Sequence, residues 1–242
     1  MKSVDVIKEA VNEFNKDKKN VKALIIKTDY LEYSDLGIKN VNAYTIAIKS
    51  KLDYFKEDLR LTVFVPLDYK NTLYIRYDLE DIKIEYTCKE EVKSKIKEHM
   101  EKLYSWYKHK VDLPEELINL LEKLAEIVKD FEFYVTFDTY YNSVQMRVGI
   151  NNLDTLVIIR IGNMHGKWDI MWATISGRWR DRKSIKDAIK NFLEFNNIKC
   201  EEYEYSICID LTNTNLDISL DISRKLAVVR KIVEAATIPH LI

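Results

Sequence analysis

Basic and aromatic side chains that could hold an anionic partner are concentrated between positions 165 and 186. This segment contains three of the four tryptophans, and between positions 167 and 186 it has six basic and two acidic residues. Lysines and arginines neutralise phosphates, and an indole ring stacks on an unpaired base, so proteins that bind single-stranded nucleic acid use this combination. The same charges would attract an acidic protein surface or another anionic ligand.

The candidate binding residues lie around the third tryptophan and at the start of the segment. They are Lys167, Arg178, Trp179, Arg180, Arg182 and Lys183. In an extended segment, the alternate arginines would point to one side. The alternative is that Trp168 and Trp172 belong to the core, that Trp179 faces inward, and that the arginines form salt bridges with the abundant acidic residues.

A carboxylate pattern in the first half of the chain resembles that of the PD-(D/E)xK nucleases. Asp68 follows Pro66 and Leu67, and Asp81 and Lys83 form a D-x-K pair. The resemblance implies that Asp68 and Asp81 hold Mg²⁺, that the metal activates a water molecule, and that Lys83 orients this nucleophile. The sequence departs from the family because Leu67 interrupts the Pro-Asp pair and an aspartate stands where glutamate is more common.

Other catalytic chemistry has little support in the sequence. The four histidines and three cysteines show no zinc-binding spacing, and there is no nucleophile-elbow, P-loop or dinucleotide-binding motif. In one extended strand, Cys200 and Cys208 would lie about 26 Å apart, so a disulfide would require the chain to fold back. We therefore expect no cofactor or metal, and a non-enzymatic binding or interaction protein, with the nuclease as the alternative.

The composition limits the location and the partners of the protein. The 38 basic and 39 acidic residues give a net charge of -1, so any site for a polyanion must be local. The apolar runs are too short to span a bilayer, the first residues form no apolar signal region, and the cysteine number is odd. We expect a cytoplasmic protein without a membrane partner. Abundant Lys, Ile, Asn and Tyr suggest an AT-rich genome, and the many charged residues suggest a thermophile.

The periodicity of apolar residues predicts an α+β protein built from two units, residues 1–110 and 111–242. Each unit is expected to contain helices that cover one face of an antiparallel sheet, and a structural duplication is a hypothesis. The order of elements in the second unit is similar to that of type III secretion chaperone-like domains, which implies a protein partner.

Polar residues predict where three helices begin. Thr87 and Glu90 fit a capping box, and Ser184 is expected to cap the helix that follows the basic segment. Asp217, Ser219 or Asp221 is expected to cap the last helix.

Overall fold

The computed structural model describes residues 3–68, 71–78, 80–139, 142–150, 154–164, 166–179, 182–212 and 221–238. The chain divides into two compact units, of which the first comprises Met1–Asp53 and Glu57–Leu113 and the second Tyr54–Lys56 and Pro114–Ile242. Each unit contains one antiparallel sheet, so the protein has the predicted α+β class. The boundary placed between residues 110 and 111 from the sequence lies three residues before the end of the first unit.

The first unit is a five-stranded antiparallel meander with a helix before and after it. Its elements are α1 (Ser3–Asn15), β1 (Val21–Tyr33), β2 (Lys39–Ser50), β3 (Asp58–Pro66), β4 (Thr72–Tyr77), β5 (Glu80–Glu85) and α2 (Lys89–Tyr107). Buried and partly buried residues alternate along β4. Leu73, Ile75 and Tyr77 are buried, and the residues between them are only partly buried. These side chains join Phe14 of α1 and Ile96 of α2 in one hydrophobic core.

Side chains of α1 hold the second helix and the edge of the sheet. Glu9 and Glu13 form ion pairs with Lys89 and Lys93 of α2, at 2.5 and 2.8 Å. The amide of Asn15 exchanges two hydrogen bonds with the backbone of Ala23, at 2.7 and 2.9 Å. Because β1 is an edge strand, Asn15 takes the place of a neighbouring strand at this point.

Two of the predicted helix starts differ from the structure. Cys88, not Thr87, is the N-cap of α2, and Glu91, not Glu90, accepts hydrogen bonds from the backbone N–H and hydroxyl of Thr87 at 2.8 and 3.0 Å. The helix therefore begins one residue later than the capping-box pattern requires. The helix after the basic segment begins two residues before Ser184, which lies inside its first turn rather than at the cap.

The second unit has a six-stranded antiparallel sheet and three helices. Its elements are α3 (Glu115–Val128), β6 (Glu132–Asp138), β7 (Ser143–Ile150), β8 (Thr155–Met164), β9 (Lys167–Gly177), α4 (Arg182–Phe195), β10 (Glu201–Glu202), β11 (Ser206–Asp210) and α5 (Ile222–Ala236). The strand order is β10-β11-β9-β8-β7-β6, so α4 connects β9 to the hairpin that extends the sheet beyond it. This order differs from the first meander, and the duplication stays a hypothesis.

The cap of α5 agrees with one of the predicted positions. The carboxylate of Asp221 accepts a hydrogen bond from the backbone N–H of Arg224 at 2.9 Å. Asp217 and Ser219, the other two candidates for this cap, lie outside the described residues.

The segment between Cys200 and Cys208, considered above as one extended strand, forms a hairpin. The chain reverses between β10 and β11 so that Glu201 lies opposite Cys208. The folding back that a disulfide between Cys200 and Cys208 would require is therefore present, yet both thiols are free.

A buried ion pair fixes α5 to the sheet of the second unit. Lys225 is fully buried, and its Nζ donates to Oδ2 of Asp169 at 2.7 Å and to the carbonyl oxygen of Ile170 at 3.1 Å. A buried ammonium requires such partners because it has lost its hydration. Over the described part of the chain, no helix is long and apolar enough to cross a membrane.

Candidate functional site

Trp179, the aromatic residue at the centre of the predicted binding segment, is folded inward. Its side chain is only 6% exposed, and the indole Nε1 donates a hydrogen bond to Oγ1 of Thr155 at 2.9 Å. The ring lies against Gly177, the last residue of β9, where a Cβ atom would come within 2.3 Å of Nε1. Trp179 thus takes the inward position of the two alternatives, and its ring is not accessible for stacking on a nucleic-acid base.

The two described cations next to Trp179 remain at the surface. Arg178 directly follows β9, and its backbone N–H donates to the carbonyl oxygen of Asp154 at 3.1 Å, while its side chain is exposed. Lys183 is also exposed and lies in the first turn of α4. Neither side chain has an ion-pair partner among the described residues, which do not include the neighbouring Asp181.

Further lysines of α4 lie near the same surface. Lys186 donates hydrogen bonds to Glu202 at 2.6 Å and to the carbonyl oxygen of Tyr203 at 3.0 Å. The hydrogen bond from Lys186 lowers the pKa of Glu202, and the charges of Lys190 and Lys183 lower it further. One face of α4 therefore places three lysines close to a single carboxylate of the β10–β11 hairpin.

Lys167 does not belong to this group. It begins β9, whereas Arg178 follows the last residue of the same strand. The strand has 11 residues, so the two cations are separated by about 36 Å along an extended chain. Lys167 is exposed and has no ion-pair partner within the ranges described above. Arg180 lies outside those ranges, as does the side chain of Arg182, which begins α4.

The aspartate of the D-x-K pair takes part in an ion-pair network. Asp81 accepts two hydrogen bonds from Arg76, Nε to Oδ1 at 2.6 Å and Nη2 to Oδ2 at 2.9 Å. A third hydrogen bond, from Nη1 of Arg76 to Asp35 at 2.5 Å, lowers the pKa of Asp35. Both carboxylate oxygens of Asp81 are thus occupied by a guanidinium, in the bidentate geometry that arginine favours.

The other two residues of the nuclease pattern have separate partners. Lys83 donates to Glu85 at 2.7 Å, and this hydrogen bond raises the pKa of Lys83. Asp68 accepts a hydrogen bond from Nδ2 of Asn40 at 3.3 Å. Among the described residues, no group of three or more His, Cys, Asp or Glu side chains has the geometry to hold a metal ion.

The strand register keeps Asp68 away from Asp81. Asp81 lies opposite Arg76, and Arg76 lies opposite Thr62, four residues before the end of β3 at Pro66. Four residues correspond to about 13 Å along a strand, and Asp68 lies beyond that end. The structure therefore brings Asp81 and Lys83 onto one strand but places Asp68 at another level of the sheet.

A buried polar layer in the second sheet was missed by the sequence analysis. Asp138 forms an ion pair with Arg160 at 2.9 Å and accepts a hydrogen bond from Gln145 at 2.6 Å. The guanidinium of Arg160 lies 4.4 Å from the ring centroid of Trp172. The sequence signal for this layer is a single arginine among the apolar residues of β8. Trp172, which one of the two alternatives for the basic segment places in the core, is half-buried.

The known proteins give no further guide to this site. No protein-family model matches the chain, and no curated protein matches it. The candidate site therefore consists of Arg178 and Lys183, two exposed cations that flank the buried Trp179 in the chain.

Proposed function

We propose that this protein is a non-enzymatic interaction protein that binds an acidic surface of a partner protein through the junction between β9 and α4. The observation that carries the proposal is the exposure of Arg178 and Lys183 without an ion-pair partner in the described part of the chain. The chain has nearly as many basic as acidic residues. Cations that stay unpaired in such a chain are available to an external anion.

The buried tryptophan next to these cations in the chain supports the proposal. Trp179 follows Arg178 directly, is buried, and is hydrogen bonded to Thr155. A rigid backbone reduces the conformational entropy that is lost when a surface binds a partner. The position of Arg178 is further fixed by its backbone hydrogen bond to Asp154.

The charge at the start of α4 also favours an anionic partner. The first turn of α2 contains Glu90 and Glu91, and that of α3 contains Glu115 and Glu116, whereas the first turn of α4 has no acidic residue. The N-terminus of a helix carries a partial positive charge that attracts anions. In the first turn of α4 this partial charge adds to that of Lys183. Asp181, which precedes the helix in the sequence, lies outside the described residues.

An acidic protein surface fits these observations better than nucleic acid does. Non-specific binding of a single strand combines phosphate contacts with stacking of bases on aromatic rings. The ring at the centre of this site, Trp179, is buried, so the stacking contribution is lost and the charge contribution remains. Carboxylates of a protein need only the charge and the hydrogen-bond donors of the arginine and the lysine.

Fluorescence anisotropy with a labelled Asp/Glu-rich peptide tests this proposal. We expect the variant Arg178→Gln/Lys183→Gln to bind the peptide about tenfold more weakly than the wild type, which corresponds to about 1.4 kcal/mol. The affinity of the wild type should fall with salt more steeply than that of the variant. A labelled single-stranded DNA and RNA of equal charge should bind more weakly than the peptide.

The control is Lys167→Gln, which removes an exposed cation at the opposite end of β9 that, within the described ranges, also has no ion-pair partner. It should leave the affinity for the peptide nearly unchanged. An equal loss of affinity in this control would show that the peptide responds to the overall charge and would contradict the proposal. Tighter binding of the oligonucleotides, lost in the double variant, would assign the site to nucleic acid instead.

A further inference from the structure

The second half of β1 is a free edge of the sheet in the first unit. β1 lies at the end of the strand order, and the amide of Asn15 bonds to its backbone only at Ala23. The N–H and C=O groups of an edge strand that lack partners form a template on which another strand can pair. The part of β1 beyond Ala23 is therefore a candidate surface for the addition of a strand.

The hydrogen bonds of Asn15 identify the backbone groups of β1 that face outward. In an antiparallel pair, residues that exchange hydrogen bonds with the neighbouring strand alternate with residues whose N–H and C=O groups point away from it. Ala23, whose N–H and C=O groups bond to Asn15, points away from β2. Its partner in β2 is Ile48, so the partners of every second residue of β2 from Ile48 also point away.

A bulge at Ile26 shifts the outward positions of β1 by one residue. β1 has one extra residue at this point, whereas β2 pairs with β3 without a gap from residue 41 to residue 49. Counting in twos along β2 from the partner of Ala23 leads to the partners of Thr28 and Tyr30. The N–H and C=O groups of Thr28 and Tyr30 therefore point away from the sheet, and no described residue bonds to them.

Exposed aromatic side chains accompany these free backbone groups. Tyr30 is 56% and Tyr33 is 73% exposed, and Thr28 and Glu32 are exposed as well. Tyrosine is enriched at protein interfaces, because its ring provides apolar contact area and its hydroxyl can form hydrogen bonds. Residues 27–33 thus offer both a strand edge and aromatic surface to a partner.

The other strand edges of the described chain are less suited to pairing. β10 has only two residues, and the backbone of Val135 in β6 already bonds to that of Tyr54 and Lys56, at 2.8 and 2.9 Å. β5 has six residues, of which four are exposed and charged, namely Glu80, Asp81, Lys83 and Glu85. Charged side chains on an edge strand oppose the addition of another strand.

We propose that the edge formed by residues 27–33 pairs with the same edge of a second copy of this chain, antiparallel and about a twofold axis at Tyr30. Residues at equal distances on either side of the axis then lie opposite each other. Lys27 of each copy faces Tyr33 of the other, and an ammonium is attracted to an aromatic ring. Thr28 faces Glu32, so the hydroxyl can donate to the carboxylate.

The charges and the bulge select this register over its neighbours. With the axis at Tyr30, no two like charges lie directly opposite each other. An axis at Asp29 would bring two aspartates face to face, which is unfavourable. An axis at Thr28 would place the bulge at Ile26 inside the new strand pair and interrupt its hydrogen bonds. The edge is thus complementary to itself, which a twofold dimer requires.

The pairing joins the two five-stranded sheets into one and stops at two copies. Each copy uses its free β1 edge, and the charged β5 remains at both ends of the joined sheet. A contact made mainly by one short strand is small, and small interfaces are typical of weak association, so we expect a Kd in the micromolar range. The contact involves residues of the first unit alone and does not rest on the proposed function.

Sedimentation velocity over micromolar to millimolar chain concentrations tests the proposal. We expect a reversible shift to twice the 28.7 kDa of one chain. Amide hydrogen exchange of residues 27–33 should slow as the concentration rises, and that of β5 should not. A chain that stays monomeric up to millimolar concentration would leave the edge to a strand of another protein and overturn the proposal.

Proline variants at two outward positions locate the interface. Tyr30→Pro removes the N–H group on the axis but no hydrogen bond within the sheet, as proline is tolerated on edge strands in this orientation. We expect its Kd for dimerisation to rise at least tenfold. Lys83→Pro is the matched control on β5, because the bond between Tyr86 and Asn71 shows by the same alternation that Lys83 faces outward. It should dimerise as the wild type does, and equal Kd values for the two variants would contradict the proposal.

Introduced cysteines test the register without relying on the proline variants. Directly opposite residues of a hydrogen-bonded pair have Cα atoms about 5.5 Å apart, which suits a disulfide. Tyr30→Cys should therefore be linked to its own copy by mild oxidation. In Glu32→Cys the two thiols are offset by about 13 Å along the strands, so linkage should be at least tenfold slower. Mass spectrometry distinguishes the introduced thiol from the native cysteines, and equal rates in the two variants would overturn the register and the proposal. Thermal unfolding verifies that each variant is folded.

Discussion

Trp179 Nε1 and Thr155 Oγ1 form a buried hydrogen bond of 2.9 Å that closes the end of the second sheet. Thr155 begins β8 and lies opposite Gly177, the last residue of β9, so the ring returns onto the strand pair that it has just left. The missing side chain of Gly177 provides the space for the indole. This arrangement explains why a tryptophan surrounded by arginines in the sequence is part of the core.

Replacement of Trp179 should therefore destabilise the fold. We expect Trp179→Ala to lower the free energy of unfolding by about 3–5 kcal/mol, because a large buried ring is removed and a cavity is left. The matched control is Trp106→Ala, since Trp106 is 48% exposed and should contribute much less. Urea unfolding of both variants measures the difference. Equal stability losses in the two variants would contradict the anchoring role of Trp179.

A methyl group at Gly177 should be poorly tolerated for the same reason. The Cβ of Gly177→Ala would lie 2.3 Å from the indole Nε1 and 2.6 Å from the carbonyl oxygen of Asp154, which is backbone and cannot rotate away. We expect a loss of about 1–3 kcal/mol from this overpacking. Gly37→Ala has no heavy atom within 4 Å of the new Cβ and would add only the strain of a positive φ, about 1 kcal/mol. Thermal unfolding should rank the two variants in that order.

The ion pair between Lys225 and Asp169 should respond unequally to removal of its two partners. Asp169→Ala leaves a fully buried ammonium without its counter-ion, and such a change costs about 3–5 kcal/mol. Lys225→Met removes the buried charge and leaves Asp169, which is 26% exposed and can be hydrated, so it should cost less. Chemical denaturation of both variants and of the double variant tests this order. A larger loss for Lys225→Met would be inconsistent with it.

The stability of the first unit should depend on pH through His99. This side chain is buried, its Nδ1 lies 3.0 Å from the hydroxyl of Tyr77, and burial lowers its pKa below the ordinary 6.5. Glu98 opposes this shift, and the charges of Lys102 and Lys95 reinforce it. As the pH falls below about 6.5, the unfolded chain binds a proton at this position before the folded protein does, so the free energy of unfolding decreases. The free energy of unfolding stops decreasing once the pH lies below the pKa that His99 has in the folded protein.

Urea unfolding at several pH values between 7.5 and 5 measures this dependence. We expect His99→Gln, which keeps a polar group near Tyr77 and does not titrate, to show a smaller decrease than the wild type. His109→Gln, at an exposed position, serves as the control and should follow the wild type. The same decrease in His99→Gln would assign the pH dependence to other groups.

The nuclease alternative makes a separate prediction. Because Arg76 occupies both carboxylate oxygens of Asp81, we expect no Mg²⁺-dependent cleavage of single- or double-stranded DNA or RNA by the wild type. Asp81→Ala should instead lower stability by about 1 kcal/mol, since the pair is about one-third exposed and solvent screens its charges. Cleavage by the wild type that is lost in Asp81→Ala and Lys83→Ala would establish the nuclease and contradict our interpretation.

The alternation of apolar residues was sufficient to predict the α+β class and most of the strands, but not the reversal between β10 and β11. Leu73, Ile75 and Tyr77 show why, because side chains two residues apart share a face of a strand whatever lies beside it. The apolar spacing along α1 and α2 predicts their buried faces in the same way. Local patterns were less reliable at the ends of elements, and the capping residue of α2 differed by one position.

The direction of single side chains at the ends of strands was decided only by the tertiary structure. Trp179 lies beyond β9, where the period of two no longer applies, and its inward position depends on the space at Gly177 and the hydroxyl of Thr155. The two hydrogen bonds from Arg76 to the carboxylate of Asp81 depend in turn on the register between β4 and β5. Neither the space nor the register is a property of the nearest neighbours in the chain.

The sequence by itself determined that the unusual concentration of cations and indoles surrounds a late strand and the start of a helix. The tertiary structure decided which of these groups face solvent, because it separates Lys167 from Arg178 by the length of β9 and buries Trp179. It also folds the segment between Cys200 and Cys208 back on itself, because the chain reverses between β10 and β11. Contacts between residues distant in the chain form these features, and no local pattern records such contacts.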